Sequence, residues 1–185
     1  MQLIVPSEAY LPGYKDALQR GWSPNNERGL AAALDELAQI EANPAAFLAL
    51  LDDREGKGPP VPTPDGSFVP RLPGFRRWMW DGEFAGSIGF RWQHATVELP
   101  PYCLGHIGYS VVPWKQRRGY ATAALRSMLN EARNMNMPYV EITTDPDNLP
   151  SQKVILAAGG RLHERFNKPP QYGGKPCLRF RIDLR

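Results

Sequence analysis

A mixed α/β domain is the fold class predicted by this chain of 185 residues, and three observations predict it. Short apolar runs of strand length, at residues 3–5, 107–112 and 140–144, alternate with amphipathic segments of helix length. Clusters of Gly and Pro separate them, the densest at residues 55–74 with six prolines and four glycines. The 42% hydrophobic content at this length supplies one core and is short for two, so residues 1–185 read as a single domain. Its central sheet is expected to hold about six to seven strands, flanked by helices.

Residues 3–5 form a first strand, which Pro6 ends. A helix follows over residues 10–20, with Gly21 as its stop. Asn25 or Asn26 is placed to cap the next helix, where Leu30, Leu34, Leu37 and Ile40 recur at three- and four-residue steps and read as a core stripe. Asn43-Pro44 caps and starts another helix, carrying Phe47, Leu48, Leu50 and Leu51. Residues 55–74 read as a loop, equally consistent with an active-site lid and with a plain surface insertion.

Two strands at residues 75–80 and 84–92 then meet around Asp81-Gly82, a hairpin signal, and hold three of the five tryptophans as core or sheet face. Pro100-Pro101 turns the chain into the strand at 106–112. After a turn, Ala121, Ala124, Leu125, Met128, Leu129, Ala132 and Met135 form one apolar helix stripe ending before Pro138. A strand at 139–144, a helix at 149–158 with Asn148 as cap and Gly159 as stop, and an alternating strand at 177–184 complete the order. A strand leading through a helix to a neighbouring strand implies a parallel pair between residues 105 and 144.

Composition narrows the function classes. The net charge of +3 is mild and the 22 Lys and Arg are dispersed, so nucleic acid is not indicated as a partner. No run of 18 apolar residues suggests a membrane span, and the first residues lack a basic leader with an apolar stretch behind it; a cytoplasmic location is expected. Cys103 and Cys177 are isolated, without Cys-x-x-Cys or Cys/His spacing, which predicts neither a disulfide framework nor a metal site.

The most informative stretch is Gly105-His-Ile-Gly-Tyr-Ser-Val-Val-Pro-Trp-Lys-Gln-Arg-Arg-Gly-Tyr-Ala-Thr122: a strand, a proline break, then Gln116-Arg-Arg-Gly119-Tyr-Ala121 opening a helix. A helix start presents unpaired N–H groups and a positive dipole end, and a glycine there lets the chain approach an anion closely. The pattern suits a phosphorylated cofactor. A second unit, Asp145-Pro-Asp-Asn148-Leu-Pro-Ser151 running to Gly159-Gly160, lies downstream.

Together these units resemble motif A and the later strand–Asn–helix–Gly unit of the GNAT acyltransferase superfamily, over roughly residues 84–165. The resemblance implies a sheet whose central parallel strands, here 107–112 and 140–144, splay apart to admit the pantetheine arm of acetyl-CoA (coenzyme A). It implies main-chain contacts from Val111 and Val112, a pyrophosphate cradle at Gln116, Arg117, Arg118, Gly119, Tyr120, Ala121 and Thr122, and pantetheine contacts from Asn148 and Ser151. Gly119 as a simple helix-entry residue and Asn148 as a simple cap fit the same residues.

The implied reaction is direct acetyl transfer to a primary amine, on a small molecule or a protein or peptide amino group. His106 is the first candidate base, its imidazole titrating near neutrality, and a buried structural histidine is the competing reading. Glu98 is the second candidate, with an ordinary surface carboxylate as its alternative. Tyr109 is a candidate acid if its face of the strand is the open one. Many members carry an acidic tyrosine where this chain has Ile155. That departure keeps a non-catalytic acyl-CoA-binding sensor or interaction module as the alternative. The aromatic hairpin and the final strand would allow a homodimer.

Overall fold

The first strand, β1 (Gln2–Ile4), pairs along β5 (Gly74–Trp80), which pairs with β6 (Phe84–Arg91), which pairs with β7 (Ile107–Val111). The short β2 (Asp52–Asp53) joins the far end of β5. A second sheet has the order β8 (Tyr139–Thr144), β10 (Pro176–Asp183), β9 (Arg161–Asn167). This architecture is that of a computed structural model, which describes residues 1–184.

The expected single sheet with a parallel central pair is corrected here. Every ladder among the described residues is antiparallel, and β7 and β8 form none. They meet only at their beginnings, where His106 N–H donates to Glu141 O at 2.8 Å. Gly105 makes that approach possible: a Cβ there would lie 3.0 Å from Glu141 O and 3.3 Å from Thr143 N.

Helix α4 (Tyr120–Asn134) buries Ala124, Leu125, Met128, Leu129 and Ala132 against the sheets. That is the expected stripe minus its first and last members, since Ala121 is only half-buried and Met135 sits beyond the helix and is exposed. The opposite face of β5 and β6 carries a second cluster, with α1 (Leu11–Gln19), α2 (Leu30–Ala42) and α3 (Pro44–Leu50). Tyr14 stacks on Trp78 there at 4.5 Å. Asn43 caps α3 by accepting from Ala46 N–H at 3.0 Å.

Three readings change. On α2, Leu30 and Leu34 are exposed, and Ala33, Leu37 and Ile40 face the core, so the stripe is rotated from the expected one. Asn25 caps a turn ahead of the helix, accepting from the N–H groups of Glu27 and Arg28 at 2.9 Å each. The 55–74 loop contains a small hairpin, β3 (Val61–Pro62) with β4 (Phe68–Val69). Strand β9 and α5 (Leu149–Ala157) complete the elements, β9 being an exposed edge whose sequence carries no period-2 signal. No helix is long and apolar enough to cross a membrane.

Candidate active site

The cleft is built on one face of β5, β6 and β7. Register sets three cross-strand rows there: Trp78, Ser87 and Ser110; then Arg76, Gly89 and Gly108; then Gly74 and Arg91 beside His106. The N-terminal helices roof the first row, where Trp22 Nε1 donates to Ser110 Oγ at 2.9 Å. They also reach Arg76 through Glu36 and Tyr14, and leave Gly74, Gly89, Gly108 and Arg91 lining the cleft. The resulting cleft holds about 370 Å³, bounded also by Asn25, Tyr102, Thr143, Asn148, Ser151 and Tyr172.

β7 borders a gap between the two sheets. Val112 N–H donates to Ala85 O, so the alternation of an antiparallel ladder turns the main-chain groups of Tyr109 and Val111 away from β6, toward that gap. Val112 itself is committed: its carbonyl accepts from Lys115 N–H and its side chain is buried. The expected main-chain contact from Val112 therefore has no free group behind it. Tyr109 bridges the gap, its hydroxyl 2.9 Å from Ser151 Oγ. Burial pushes the Tyr109 hydroxyl up to about 12, against the opposing hydrogen bond of Ser151. Asn148 caps α5, accepting from Ser151 N–H at 3.2 Å.

The turn before α4, where the sequence places the anion cradle, has two left-handed residues and unpaired backbone donors. Arg117 and Gly119 adopt left-handed φ of 60° and 77°, and a Cβ on Gly119 would meet nothing within 4 Å. Among the described residues, the backbone N–H groups of 117–122 donate to no partner, and the exposed Arg117 and Arg118 have no ion pair. Gln116 lies back on β7, its Nε2 donating to Val111 O at 3.4 Å. The turn is held from behind by Asp81, which accepts from Tyr120 Oη at 2.6 Å and from Lys115 Nζ. Burial works against that carboxylate, but these two donors hold it down to about 2. Asp81 reads from sequence only as a hairpin residue; its role rests on contacts 34 and 39 residues away.

The candidate bases are placed differently from expectation. His106 is fully buried and both ring nitrogens are engaged: Nδ1 accepts from Glu141 N–H at 2.9 Å and Nε2 donates to Val97 O at 2.9 Å. Burial pulls its pKa below the usual histidine value. This is a neutral structural tie between three segments, with no nitrogen left for an amine proton. Glu98 is exposed in the 94–98 loop and does not line the cleft. Ile155 is fully buried in the core.

The carboxylates that line the cleft are engaged. Glu27 and Asp145 both bind Lys168 Nζ, at 2.8 and 2.7 Å. Asp53 accepts from Lys57 and Gly58 N–H, which with nearby Arg71 outweigh its burial and hold its pKa down. The thiols of Cys103 and Cys177 are buried and donate to the Gly105 and Thr144 carbonyls, so neither is poised as a nucleophile.

Comparison with known proteins bears on the family and the fold. A family model described as Acetyltransferase (GNAT) domain matches residues 69–161, half of the chain. Among solved structures, the Microcin C7 self immunity acetyltransferase MccE, in complex with acetyl-CoA and AMP, superposes with a TM-score of 0.62 at 15% identity, over 98% of this chain and 91% of that one. RimL, a ribosomal alpha-N-protein acetyltransferase in complex with coenzyme A, gives 0.63 at 15% identity, over 99% and 94%. A chimera of the spermidine N-acetyltransferase SpeG from Vibrio cholerae and hSSAT gives 0.61 at 11% identity, over 100% and 97%. At these identities the likeness is one of fold. No curated protein matches the chain by sequence.

Proposed function

The chain belongs to the GNAT acetyltransferase family, and from that premise we propose that it transfers an acetyl group from acetyl-CoA to a primary amine. The observation that carries this reading is the turn at 116–122, whose unpaired N–H groups, left-handed residues and exposed arginines suit a pyrophosphate. Gln116, Arg117, Arg118, Gly119, Tyr120, Ala121 and Thr122 would hold that end, and Asn148, Ser151 and the unpaired N–H of Val111 would hold the arm. Acetyl-CoA supplies an acetyl group activated as a thioester. Solved structures of this fold carrying acetyl-CoA or coenzyme A support the same cofactor.

The chain's own contribution is positional and electrostatic. Val111 N–H, directed into the gap, is the donor we assign to negative charge developing on the acyl oxygen. Tyr109 keeps its proton at neutral pH and is the acid we assign in place of the tyrosine absent at Ile155. No side chain of the cleft is free to act as base, so the ammonium proton leaves to water through the open mouth. The acceptors of two structural relatives, spermidine and a ribosomal protein amino group, support an amine as the acceptor class.

The second reading, a non-catalytic acyl-CoA-binding module, draws on buried Ile155 and on the engaged state of His106. Thiol release from acetyl-CoA across a panel of primary amines separates the two, since the enzyme releases coenzyme A and the module only binds it. A thermal shift with coenzyme A is expected in both cases, and its absence at millimolar ligand would overturn both.

A further inference from the structure

The floor of the cleft carries an arginine that nothing in the proposed chemistry uses. Arg91 closes β6 on the open face, and its Nη2 lies 3.1 Å from where a Cβ of Gly108 would stand. The guanidinium therefore rests over a glycine of β7. Beside it Gly89 is equally bare, a Cβ there meeting only Phe75 O at 3.8 Å. Two paired glycines remove the side chains that would otherwise fill this floor, and Arg91 lines the cleft beside them.

Charge pairing isolates Arg91 from the other ions of the cleft. Arg28 is paired with Asp35 at 2.7 Å and Arg76 with Glu36 at 3.0 Å. Arg71 donates to Pro59 O and stands near Asp53. Among the described residues, no carboxylate lies within 4.0 Å of the Arg91 guanidinium and none of its side-chain nitrogens has a hydrogen-bond acceptor. At the mouth the balance is opposite, because Glu27 and Asp145 share the single cation of Lys168. The cleft thus presents an excess negative charge at one place and an unpaired guanidinium at another.

We propose that the acceptor is zwitterionic: an amine whose far end bears an anionic group, a carboxylate or a phosphate, held by Arg91. A planar guanidinium matches either anion by paired donors, and the acidic mouth draws the ammonium. Gly108 lies three residues before Val111 on β7, roughly 10 Å along a strand, so the anion and the reacting amine are separated by a spacer of several bonds. This rests on the reading of the cleft as the acceptor site of an acetyltransferase.

The test uses four primary amines with saturating acetyl-CoA: 6-aminohexanoate, 4-aminobutyl phosphate, hexylamine and 1,6-diaminohexane. The wild type is expected to favour one or both anionic amines over hexylamine by about tenfold or more in kcat/KM, and the carboxylate and phosphate arms identify the anion. Arg91→Gln should raise KM for the anionic amines by about tenfold, leaving hexylamine turnover and calorimetric coenzyme A binding unchanged. Arg91→Lys should restore part of the loss. Equal use of hexylamine or the diamine by the wild type, or an equal effect of Arg91→Gln on all four, overturns the proposal. If no amine is acetylated while coenzyme A binds, the transfer reading fails, and titration of the two anionic amines into the coenzyme A complex decides the inference alone. Binding lost in Arg91→Gln sustains it, and no binding to the wild type overturns it.

Discussion

His106 illustrates how a residue's neighbours decide between chemistry and structure. With Nδ1 and Nε2 both bonded to main chain, His106→Gln is expected to cost about 1–3 kcal/mol of stability, through the stranded Glu141 N–H and Val97 O, and to leave kcat near wild type. Its pH dependence has a definite sign. The folded imidazole is held below its ordinary value of 6.5 by burial, so the unfolded chain takes up a proton that the folded chain refuses. Wild-type stability should therefore fall as pH drops below about 6.5, relative to His106→Gln, in urea titrations across pH 5 to 8. Tyr109, the acid we propose, stands on the strand face opposite the cleft rows and reaches the cleft only through Ser151. Tyr109→Phe should lower kcat by about 10²-fold or more while coenzyme A affinity holds. With its hydroxyl near 12, wild-type kcat should show no loss of acid up to about pH 10.

At the scale of elements, the turn before α4 depends on a hairpin far away in sequence. Asp81 joins Lys115 and Tyr120 on either side of Gln116–Gly119, so Asp81→Asn is expected to weaken coenzyme A binding several-fold with acceptor KM unchanged, by calorimetry and steady-state kinetics. The folded carboxyl is depressed to about 2, so this hold is complete above the unfolded value near 4 and lost only as pH falls toward 2. Helix packing gives a second contrast. Leu125→Ala, in the fully buried stripe of α4, should cost about 2–5 kcal/mol, and Leu34→Ala, on the exposed side of α2, within about 0.5 kcal/mol. Equal melting losses for the two variants would contradict the observed rotation of α2.

At the scale of the molecule, two antiparallel sheets touch at His106 and Glu141 and part beyond them, leaving the gap that Tyr109 spans. Lys168 ties the N-terminal segment at Glu27 to Asp145 after β8, both of which line the cleft. Lys168→Ala would leave two carboxylates facing each other, and roughly 1–3 kcal/mol of stability should be lost, read as a lower denaturant midpoint.

Most helices, the Asp81-Gly82 hairpin and the glycine turn before α4 were legible in the sequence, because they depend on spacing, caps and turn chemistry within a few residues. Glycine at 119 and asparagine at 43 and 148 act through the nearest backbone groups, and their neighbours in sequence are their neighbours in space. Strand β9 was not legible, since an exposed edge carries no alternation, and neither was the side of α2 that packs, since several apolar stripes fit one helix. Tertiary structure alone decided which polar groups were already satisfied. His106 is closed by partners 9 and 35 residues away, and Arg91 stays open because every other arginine of the cleft found a neighbour. Local sequence sets where a charge or ring can stand; only long-range packing determines whether any bonding capacity remains for a ligand.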